Sequence, residues 1–294
     1  MQIKKGSFVP YLLVTPALIM LCMFIVYPMV MNVITSFQSY SLVQMGRPWV
    51  GLSNYKTLIT DSRVWSAIQR TFIWTGVNLA CALALGLGSA LLLNTGFKGN
   101  NIIKALILIP WILPSVITGY IWSLMLSEDA GIITWILKTL GWVSRDFSWF
   151  RTGPLAMASA MMANIWRAFP FFSLMIYAKL NTVPGDQIEA ALLEGVNRRQ
   201  MFRYVTFPFI KPVVTSCTYL CFIWTFNAYD ILKIMTNGGP AELTTTMSIM
   251  VQREAFSYYS LSNAATLSVI MFVLMVSIIV LAKLGVRMYK RITV

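Results

Sequence analysis

The chain has 294 residues, of which 57% are hydrophobic and 11% are charged, whereas about a quarter of the residues are charged in an ordinary soluble domain. It carries 23 Lys or Arg against 10 Asp or Glu, a net charge of +13, and no histidine. This composition argues against a soluble globular protein. The lack of imidazole excludes histidine-based acid–base catalysis and histidine metal ligands.

The sequence predicts six membrane-spanning helices, because a span needs about 20 mostly apolar residues. The six stretches cover about residues 9–37, 71–93, 105–126, 154–177, 209–232 and 263–282. In the second, Ala82, Gly86 and Ala90 recur every four residues, and such small residues let a neighbouring helix approach closely. The third contains Pro110 and Pro114, which are expected to bend it. A bent span either borders a cavity or is kinked against its neighbours, and the residues leave both open.

The distribution of positive charge predicts that both termini are cytoplasmic. With the N-terminus inside, the inner segments hold 12 Lys or Arg in 62 residues, and the outer segments hold 9 in 90. The side that is richer in Lys and Arg is normally cytoplasmic. We therefore interpret the excess positive charge as a topology signal in contact with membrane lipid, and not as a nucleic-acid surface.

The cytoplasmic loop between spans four and five concentrates acidic residues. Three of the ten acids in the chain, Asp186, Glu189 and Glu194, lie within nine residues. Asp186 is predicted to cap a short helix, with Glu189 completing a capping box. Gly195 is predicted to end that helix in the left-handed conformation.

A second short helix is predicted to follow in the same loop. Asn197 is expected to cap it, the helix is expected to continue to Arg203, and Pro208 and Pro212 are expected to close it before the membrane is re-entered. The first helix places small and apolar residues on one face: Ile188, Ala191, Leu192 and Gly195. The residues alone leave open whether this face docks on a separate protein or packs on the chain's own spans.

Two charged residues, Arg167 and Asp230, fall well within predicted spans, and intramembrane charges are functional candidates by default. Their predicted depths differ, so no ion pair is assumed. Polar and aromatic side chains share their helical faces or flank Pro114: Asn164, Phe171, Trp224, Asn227, Ser115 and Thr118. A cavity lined in this way suits a sugar, which has hydroxyls at its edges and C–H groups on its faces. Ordinary helix packing is the alternative.

Several motifs resemble those of one family. Glu189-Ala190-Ala191, followed by Gly195, Phe202 and Phe207-Pro208, is similar to the EAA loop in the membrane subunits of bacterial ATP-binding-cassette (ABC) importers. Matches that resemble the carbohydrate-uptake branch, akin to the maltose and glycerol-3-phosphate permeases, are Val50-Gly51-Leu52-Ser53-Asn54-Tyr55 with Asp61 and Trp65, Trp166 with Pro170, and Thr236-Asn237-Gly238-Gly239-Pro240. The chain departs from the family pattern at Glu194, where Asp is usual, and at Val196, where Ala is usual.

The resemblance implies a type I ABC importer permease fold. This is an all-α polytopic membrane protein with six transmembrane helices and a cytoplasmic coupling helix between spans four and five. Residues 1–70 would form the first transmembrane helix and an outer loop, and residues 71–290 the core permease domain, with the EAA loop at about 185–212. The resemblance assigns ATPase coupling to Glu189, Ala190, Ala191, Glu194, Gly195, Phe202 and Pro208. It also implies that spans four and five line the translocation path.

The implied function is that of a permease subunit that carries a carbohydrate across the bacterial inner membrane. The expected partners are a second permease of a different sequence, two ABC ATPase subunits and an extracytoplasmic solute-binding protein. The chain has no Gly-x-x-x-x-Gly-Lys-Ser/Thr stretch to cradle phosphates, so ATP and magnesium are expected on the ATPase. We expect no cofactor or metal on this chain and no hydrolytic activity.

Three alternatives remain at this stage. An ABC permease for a non-sugar polar solute would share the same motifs. An ion-coupled secondary transporter predicts inverted repeats and membrane carboxylates, but Asp230 is the only acid placed within a span. An intramembrane enzyme would need a nucleophile with a base, or a metal cluster.

Overall fold

The protein is described by a computed structural model over residues 9–43 and 46–292. Lys4 and Lys5, which contribute to the charge count, lie outside these residues. Within the described residues the regular structure is helical, and strand-like pairing is limited to two isolated bridges, Gln38 with Trp49 and Ser41 with Ser260. The prediction of an all-α protein is confirmed.

The described residues contain fourteen α-helices. The first seven are α1 (Val9–Leu21), α2 (Tyr27–Ser36), α3 (Ser53–Thr60), α4 (Ser62–Leu93), α5 (Asn100–Ile112), α6 (Ser115–Met125) and α7 (Ile132–Thr139). The next seven are α8 (Gly153–Leu180), α9 (Gly185–Leu193), α10 (Arg198–Met201), α11 (Phe207–Phe226), α12 (Asp230–Met235), α13 (Met247–Phe256) and α14 (Leu261–Ile292).

Two π-helical turns, Cys22–Val26 and Phe202–Thr206, each lie directly before an aromatic residue and a proline, Tyr27-Pro28 and Phe207-Pro208. A proline ring within a helix clashes with the carbonyl four residues earlier and removes a backbone donor, and a wider π turn accommodates both effects. The helix therefore continues through Pro208, and Pro212 lies inside α11. The prediction that these two prolines close the helix is wrong.

Four helical stretches in the described residues are long and apolar enough to cross a membrane, namely Tyr11–Ser36, Ser62–Leu93, Arg198–Met235 and Leu261–Gly285. The bent pair α5 and α6 adds a fifth if it is counted as one span. The fourth predicted span corresponds to α8. It is long enough to cross a membrane, but its polar and charged side chains make it less apolar than these four stretches. Six spans remain a prediction.

The third predicted span is two helices and not one kinked helix. α5 and α6 meet at an angle of 102°. Proline disfavours the helical conformation of the residue before it, and Leu113, which precedes Pro114, is extended with ψ 133°. Pro110, by contrast, lies inside α5. The predicted bend is confirmed at Pro114, where it is a full break, whereas α5 continues through Pro110.

The chain divides into two compact units, residues 1–65 with 250–294, and residues 66–249. In the first unit, α2 packs on α14. The Asn54-Tyr55 pair of α3 secures the end of α2, because Asn54 donates hydrogen bonds to the carbonyls of Ser36 and Gln38 and the Tyr55 hydroxyl lies 2.6 Å from the Ser36 hydroxyl. This part of the sequence motif therefore has a structural role.

In the second unit, α4, α8 and α11 share one core. Ala82 and Ala90 of α4 are buried, and a Cβ added to Gly86 would lie 2.3 Å from the Cβ of Phe172. The close helix approach predicted from these small residues is confirmed, and the partner is α8. A second core is formed around Trp74 and α12.

Candidate functional site

A cavity of about 660 Å³ lies within the second unit, between the middle of α8 and the ends of α5, α6, α11 and α12. Its walls combine aromatic rings with hydroxyl, amide and charged groups. The lining residues are Trp111, Ser115, Asn164, Arg167, Ala168, Phe171, Cys221, Ile223, Trp224, Thr225, Asn227, Ala228, Tyr229, Asp230 and Ile231. Few polar groups on a mostly apolar, concave surface are typical of sites for small molecules.

Three aromatic rings form one wall of this cavity, which we call the aromatic wall: Trp111, Phe171 and Trp224. The rings of Trp111 and Phe171 are stacked with centroids 6.2 Å apart, and those of Phe171 and Trp224 meet edge to face at 5.2 Å. Trp111 is 43% exposed and Trp224 is 53% exposed in the single chain. The wall therefore offers apolar ring surface to the cavity.

Arg167 is half-buried and is held against the break between α5 and α6. Its Nε donates a hydrogen bond to the carbonyl oxygen of Leu113 at 3.2 Å. Leu113 is the extended residue of the break, so its carbonyl is turned away from the helical direction and is free to accept. Arg167 thus satisfies a backbone group that the break exposes.

Asp230 lies on the other side of the same break. It is the first residue of α12, and its Oδ2 accepts a hydrogen bond from the hydroxyl of Ser115, the first residue of α6. The carboxylate is close enough to Arg167 to interact with it electrostatically. Arg167 and Asp230 make no direct ion pair within 4.0 Å, unlike Arg63 with Asp61 and Arg151 with Asp146.

Asn164 is tied into the protein interior. Its side-chain amide donates to the Oδ1 of Asn78 at 2.8 Å, and Asn78 in turn donates to the carbonyl of Trp74 at 2.7 Å. Only 6% of Asn164 is exposed. Its contact with the cavity is therefore that of a fixed, largely buried amide.

The structure gathers seven of the eight predicted path residues around this cavity, namely Ser115, Asn164, Arg167, Phe171, Trp224, Asn227 and Asp230. Thr118 is fully buried outside the lining, and its hydroxyl bonds to the carbonyl of Pro114. Asp230 lies at the start of α12 and not inside one uninterrupted helix, because α11 ends at Phe226.

Sequence reasoning missed eight of the lining residues, and three of these carry an aromatic ring or a hydroxyl group: Trp111, Thr225 and Tyr229. Trp111 lies between Pro110 and Pro114, and its position beside the predicted bend could have indicated that it lines a cavity. Thr225 and Tyr229 lie close to the predicted Trp224 and Asn227. They line the cavity because α11 ends at Phe226, and nothing in the sequence predicted that end.

The predicted coupling loop folds as α9 followed by a left-handed turn at Gly195, whose φ is +76°. The prediction for Gly195 is confirmed. The predicted capping box of Asp186 and Glu189 is wrong, because the N-cap is Pro184 and Asp186 lies in the first turn. There its charge faces the positive end of the helix dipole without capping it.

Asn197 caps α10 as predicted. Its side chain accepts from the backbone N–H groups of Arg199 and Gln200, and the Gln200 side chain completes the capping box. The α-helix reaches only Met201, and the predicted continuation to Arg203 is π-helical.

The apolar face of α9 is divided between the protein and solvent. Ala191 is buried against the chain itself, whereas Leu192 is 60% and Leu193 is 90% exposed. Ala190, Ala191, Glu194 and Pro208 line a cavity of about 560 Å³ between α9 and the start of α11. Of the two alternatives that the sequence left open for this face, Ala191 follows the second and packs against the chain itself.

Comparison with known proteins gives the family. Residues 82–292 match the family described as the binding-protein-dependent transport system inner membrane component. The chain is 33% identical over 279 residues to the trehalose/maltose transport system permease protein MalF of Thermococcus litoralis, covering 94% of this chain and 92% of that protein. It is 34% identical to the sulfoquinovosyl glycerol transport system permease protein SmoG of Agrobacterium fabrum, covering 90% of this chain and 85% of that one.

Solved structures show the same fold. A chain from a bacterial ABC transporter involved in the import of the acidic polysaccharide alginate superposes with a TM-score of 0.83 at 19% identity, over 95% of both chains. A chain from the bacterial alginate ABC transporter in complex with an alginate pentasaccharide-bound periplasmic protein gives 0.81 at 17% identity, over 94% of this chain and 92% of that one. At these identities the likeness shows the fold alone. Together with the match over residues 82–292, it establishes that the chain belongs to the family of binding-protein-dependent transport system inner membrane components.

Proposed function

We propose that the chain is one permease subunit of an ATP-driven importer and forms part of the translocation path for a carbohydrate across the bacterial inner membrane. The observation that carries the proposal is the cavity that combines the aromatic wall with fixed hydrogen-bonding groups. Ring faces suit the C–H faces of a sugar, and the amide and hydroxyl groups suit its edges. Relatives named as trehalose/maltose and sulfoquinovosyl glycerol permeases support the same solute class.

The proposed topology has six spans, with α5 and α6 together as the third and α8 as the fourth, and both termini in the cytoplasm. The proposed domain organisation keeps residues 1–70 as a first span with its outer loop and residues 71–290 as the core. The family assignment argues against an ion-coupled secondary transporter. ATP hydrolysis, with its magnesium, is assigned to separate subunits.

We propose that α9 is the coupling helix that receives the movement of the ATPase. Exposed Leu192 and Leu193 at its end leave apolar surface for a partner, and Gly195 makes the turn behind it. Glu189, Ala190, Ala191 and Glu194 lie on the same short helix or next to it, with Phe202 and Pro208 at the re-entry into α11. A second permease of different sequence and an extracytoplasmic solute-binding protein complete the proposed complex.

The test is uptake by the complex reconstituted with its copurifying subunits. We expect an ABC ATPase to copurify, and ATP-dependent accumulation of a neutral disaccharide such as maltose or trehalose in proteoliposomes. Glu189→Ala should abolish accumulation, and Asp129→Ala, in an outer segment, should not. Purification without an ATPase, or uptake that persists after ATP is withdrawn, would overturn the proposal.

A further inference from the structure

The break between α5 and α6 is held by two tertiary bonds, one at each side. Arg167 of α8 donates to the carbonyl of Leu113, the last residue before Pro114. Ser115, the first residue after Pro114, donates to Asp230 at the start of α12. The two charged residues of the cavity lining therefore already have protein partners on either side of one proline.

The Arg167 bond satisfies a backbone carbonyl that the break leaves without a helical partner, and the Ser115–Asp230 bond ties the start of α6 to the start of α12. A helix that turns by 102° loses the regular acceptor pattern at the bend, and a carbonyl without a partner in a membrane is costly. The first N–H groups of α6 and α12 carry partial positive charge, and the Asp230 carboxylate lies at the start of both helices. The bend between α5 and α6 is thus stabilised by residues of two other helices, α8 and α12.

The packing around the break leaves little freedom for α6. A Cβ added to Gly119 would lie 3.0 Å from the Cβ of Ile234, so α6 and α12 are in close contact one turn beyond the Ser115–Asp230 bond. On the other side of Pro114, Trp111 stacks on Phe171 of α8. The angle at Leu113 consequently fixes where Trp111 stands in the cavity.

We propose that Arg167, Asp230 and Ser115 are positioning residues that hold the break in span three, and that the solute is contacted by the aromatic wall. The part of this proposal that concerns the solute rests on the proposed function. The opposite charges of Arg167 and Asp230 offset each other beside the cavity, so that it presents no net charge from this chain. A neutral polyhydroxylated solute is the class that such a surface suits.

Kinetics of uptake separate positioning from solute contact, because a solute ligand changes KM and a positioning group changes the rate at saturation. In the reconstituted complex, Ser115→Ala should lower the saturating rate by about fivefold, the size expected for one lost hydrogen bond, while KM for maltose stays unchanged. Ser115→Thr keeps the hydroxyl and should restore the rate. Trp224→Ala is the matched variant on the aromatic wall and should raise KM instead.

A second measurement does not depend on transport. Spin labels at Ile109→Cys and Tyr120→Cys, both exposed positions on α5 and α6, report the distance across the break in nanodiscs. The exposed Cys22 and Cys81 are first replaced by Ala. We expect a narrow distance distribution that broadens in Ser115→Ala. Arg167→Lys, which keeps the charge but loses Nε, should broaden it as well.

These outcomes decide the proposal. A raised KM at an unchanged saturating rate in Ser115→Ala would make Ser115 a solute ligand and overturn it, as would a distance distribution that neither variant alters. If Ser115→Ala fails to assemble, Arg167→Lys carries the distance test. If the wild-type complex carries no sugar, the proposed function fails, yet the distances still decide whether these residues hold the break.

Discussion

Trp111 of α5 and Phe171 of α8 stack with their ring planes 28° apart and their centroids at 6.2 Å. Trp111 reaches this position because α5 ends one residue later, at Ile112, and the chain turns away at Leu113. The aromatic surface of the cavity therefore depends on where a helix ends as well as on which residues it contains. Changes at the cavity and changes at helix packing sites should have separable effects.

Trp224→Ala should weaken solute recognition. Its ring meets Phe171 edge to face, lines the cavity and is half exposed in the single chain. Loss of an aromatic contact of about 1 kcal/mol should raise KM for maltose by about fivefold with little change in the saturating rate. Trp135→Ala, more exposed than Trp224 but on α7 and outside the cavity lining, is the control and should leave KM unchanged. Equal effects of the two variants would argue against the aromatic wall as a solute surface.

Gly195→Ala should impair coupling between ATP hydrolysis and uptake. Gly195 has φ +76° with no atom within 4 Å of an added Cβ, so the penalty is purely conformational and about 1–2 kcal/mol. We expect uptake per ATP hydrolysed to fall. Gly185→Ala, also without a steric neighbour but without positive φ, should couple normally. The measurement is the ratio of accumulated solute to released phosphate, and an unchanged ratio in Gly195→Ala would contradict the coupling role.

Gly86→Ala should destabilise the protein by about 1–3 kcal/mol, the usual range for overpacking a core. The added methyl would lie 2.3 Å from the Cβ of Phe172 and 2.9 Å from the carbonyl oxygen of Phe169. Gly88→Ala, in the same helix with no atom within 4 Å, should be neutral or stabilising because alanine favours helix. Thermal unfolding in nanodiscs measures both, and a similar Tm for the two variants would show that α4 and α8 can separate.

Asp61→Asn should remove a stabilising contribution that is present only above acidic pH. The hydrogen bond from Arg63 lowers the pKa of Asp61 below its ordinary value of 3.8, against a smaller opposing effect of burial. Because the folded-state pKa is the lower one, the contribution is full above the unfolded-state value and is lost as the pH falls through the folded-state value.

The Asp61 effect should be less than about 1 kcal/mol, because Arg63 is largely exposed to solvent. Thermal unfolding of wild type and Asp61→Asn from neutral to strongly acidic pH measures it. The difference in Tm between the two should shrink as the pH falls below 3.8. A difference that is constant with pH would show that the carboxylate charge contributes nothing.

The six-span topology predicts opposite sides for two exposed positions. Leu193→Cys at the end of α9 should react with a membrane-impermeant thiol reagent only from the cytoplasmic side, and Trp142→Cys only from the outer side. Both are made after Cys22 and Cys81 are replaced by Ala. Labelling in right-side-out and inverted vesicles provides the measurement. Labelling of both positions from one side would rule out this arrangement.

Local signals in the sequence predicted much of the fold. The left-handed turn at Gly195 and the cap at Asn197 depend on short-range backbone chemistry. The small residues around Gly86 predicted a close helix neighbour, because glycine leaves room that no other residue does. Such features need no knowledge of distant parts of the chain.

The break at Leu113 could not be predicted in the same way. A proline permits either a kink or a full break, and here Arg167 and Asp230, more than 50 residues away in sequence, stabilise the break. The place of Trp111 in the cavity could not be predicted for the same reason, because Trp111 lies in the last turn of α5, next to that break. The contact of Asp230 with Ser115 could not be predicted for a related reason, since α11 ends at Phe226 and the chain turns before Asp230.

The π-helical turn at Phe202–Thr206 has a consequence for the cavity at the far end of the same helical stretch. A π turn adds one residue to the helix, which rotates all later side chains by about 100° relative to an uninterrupted α-helix. The direction in which Trp224 points is therefore set partly at the junction with the coupling loop, several turns away. Deleting one residue from this turn would rotate the aromatic ring out of the cavity without touching any residue that lines it.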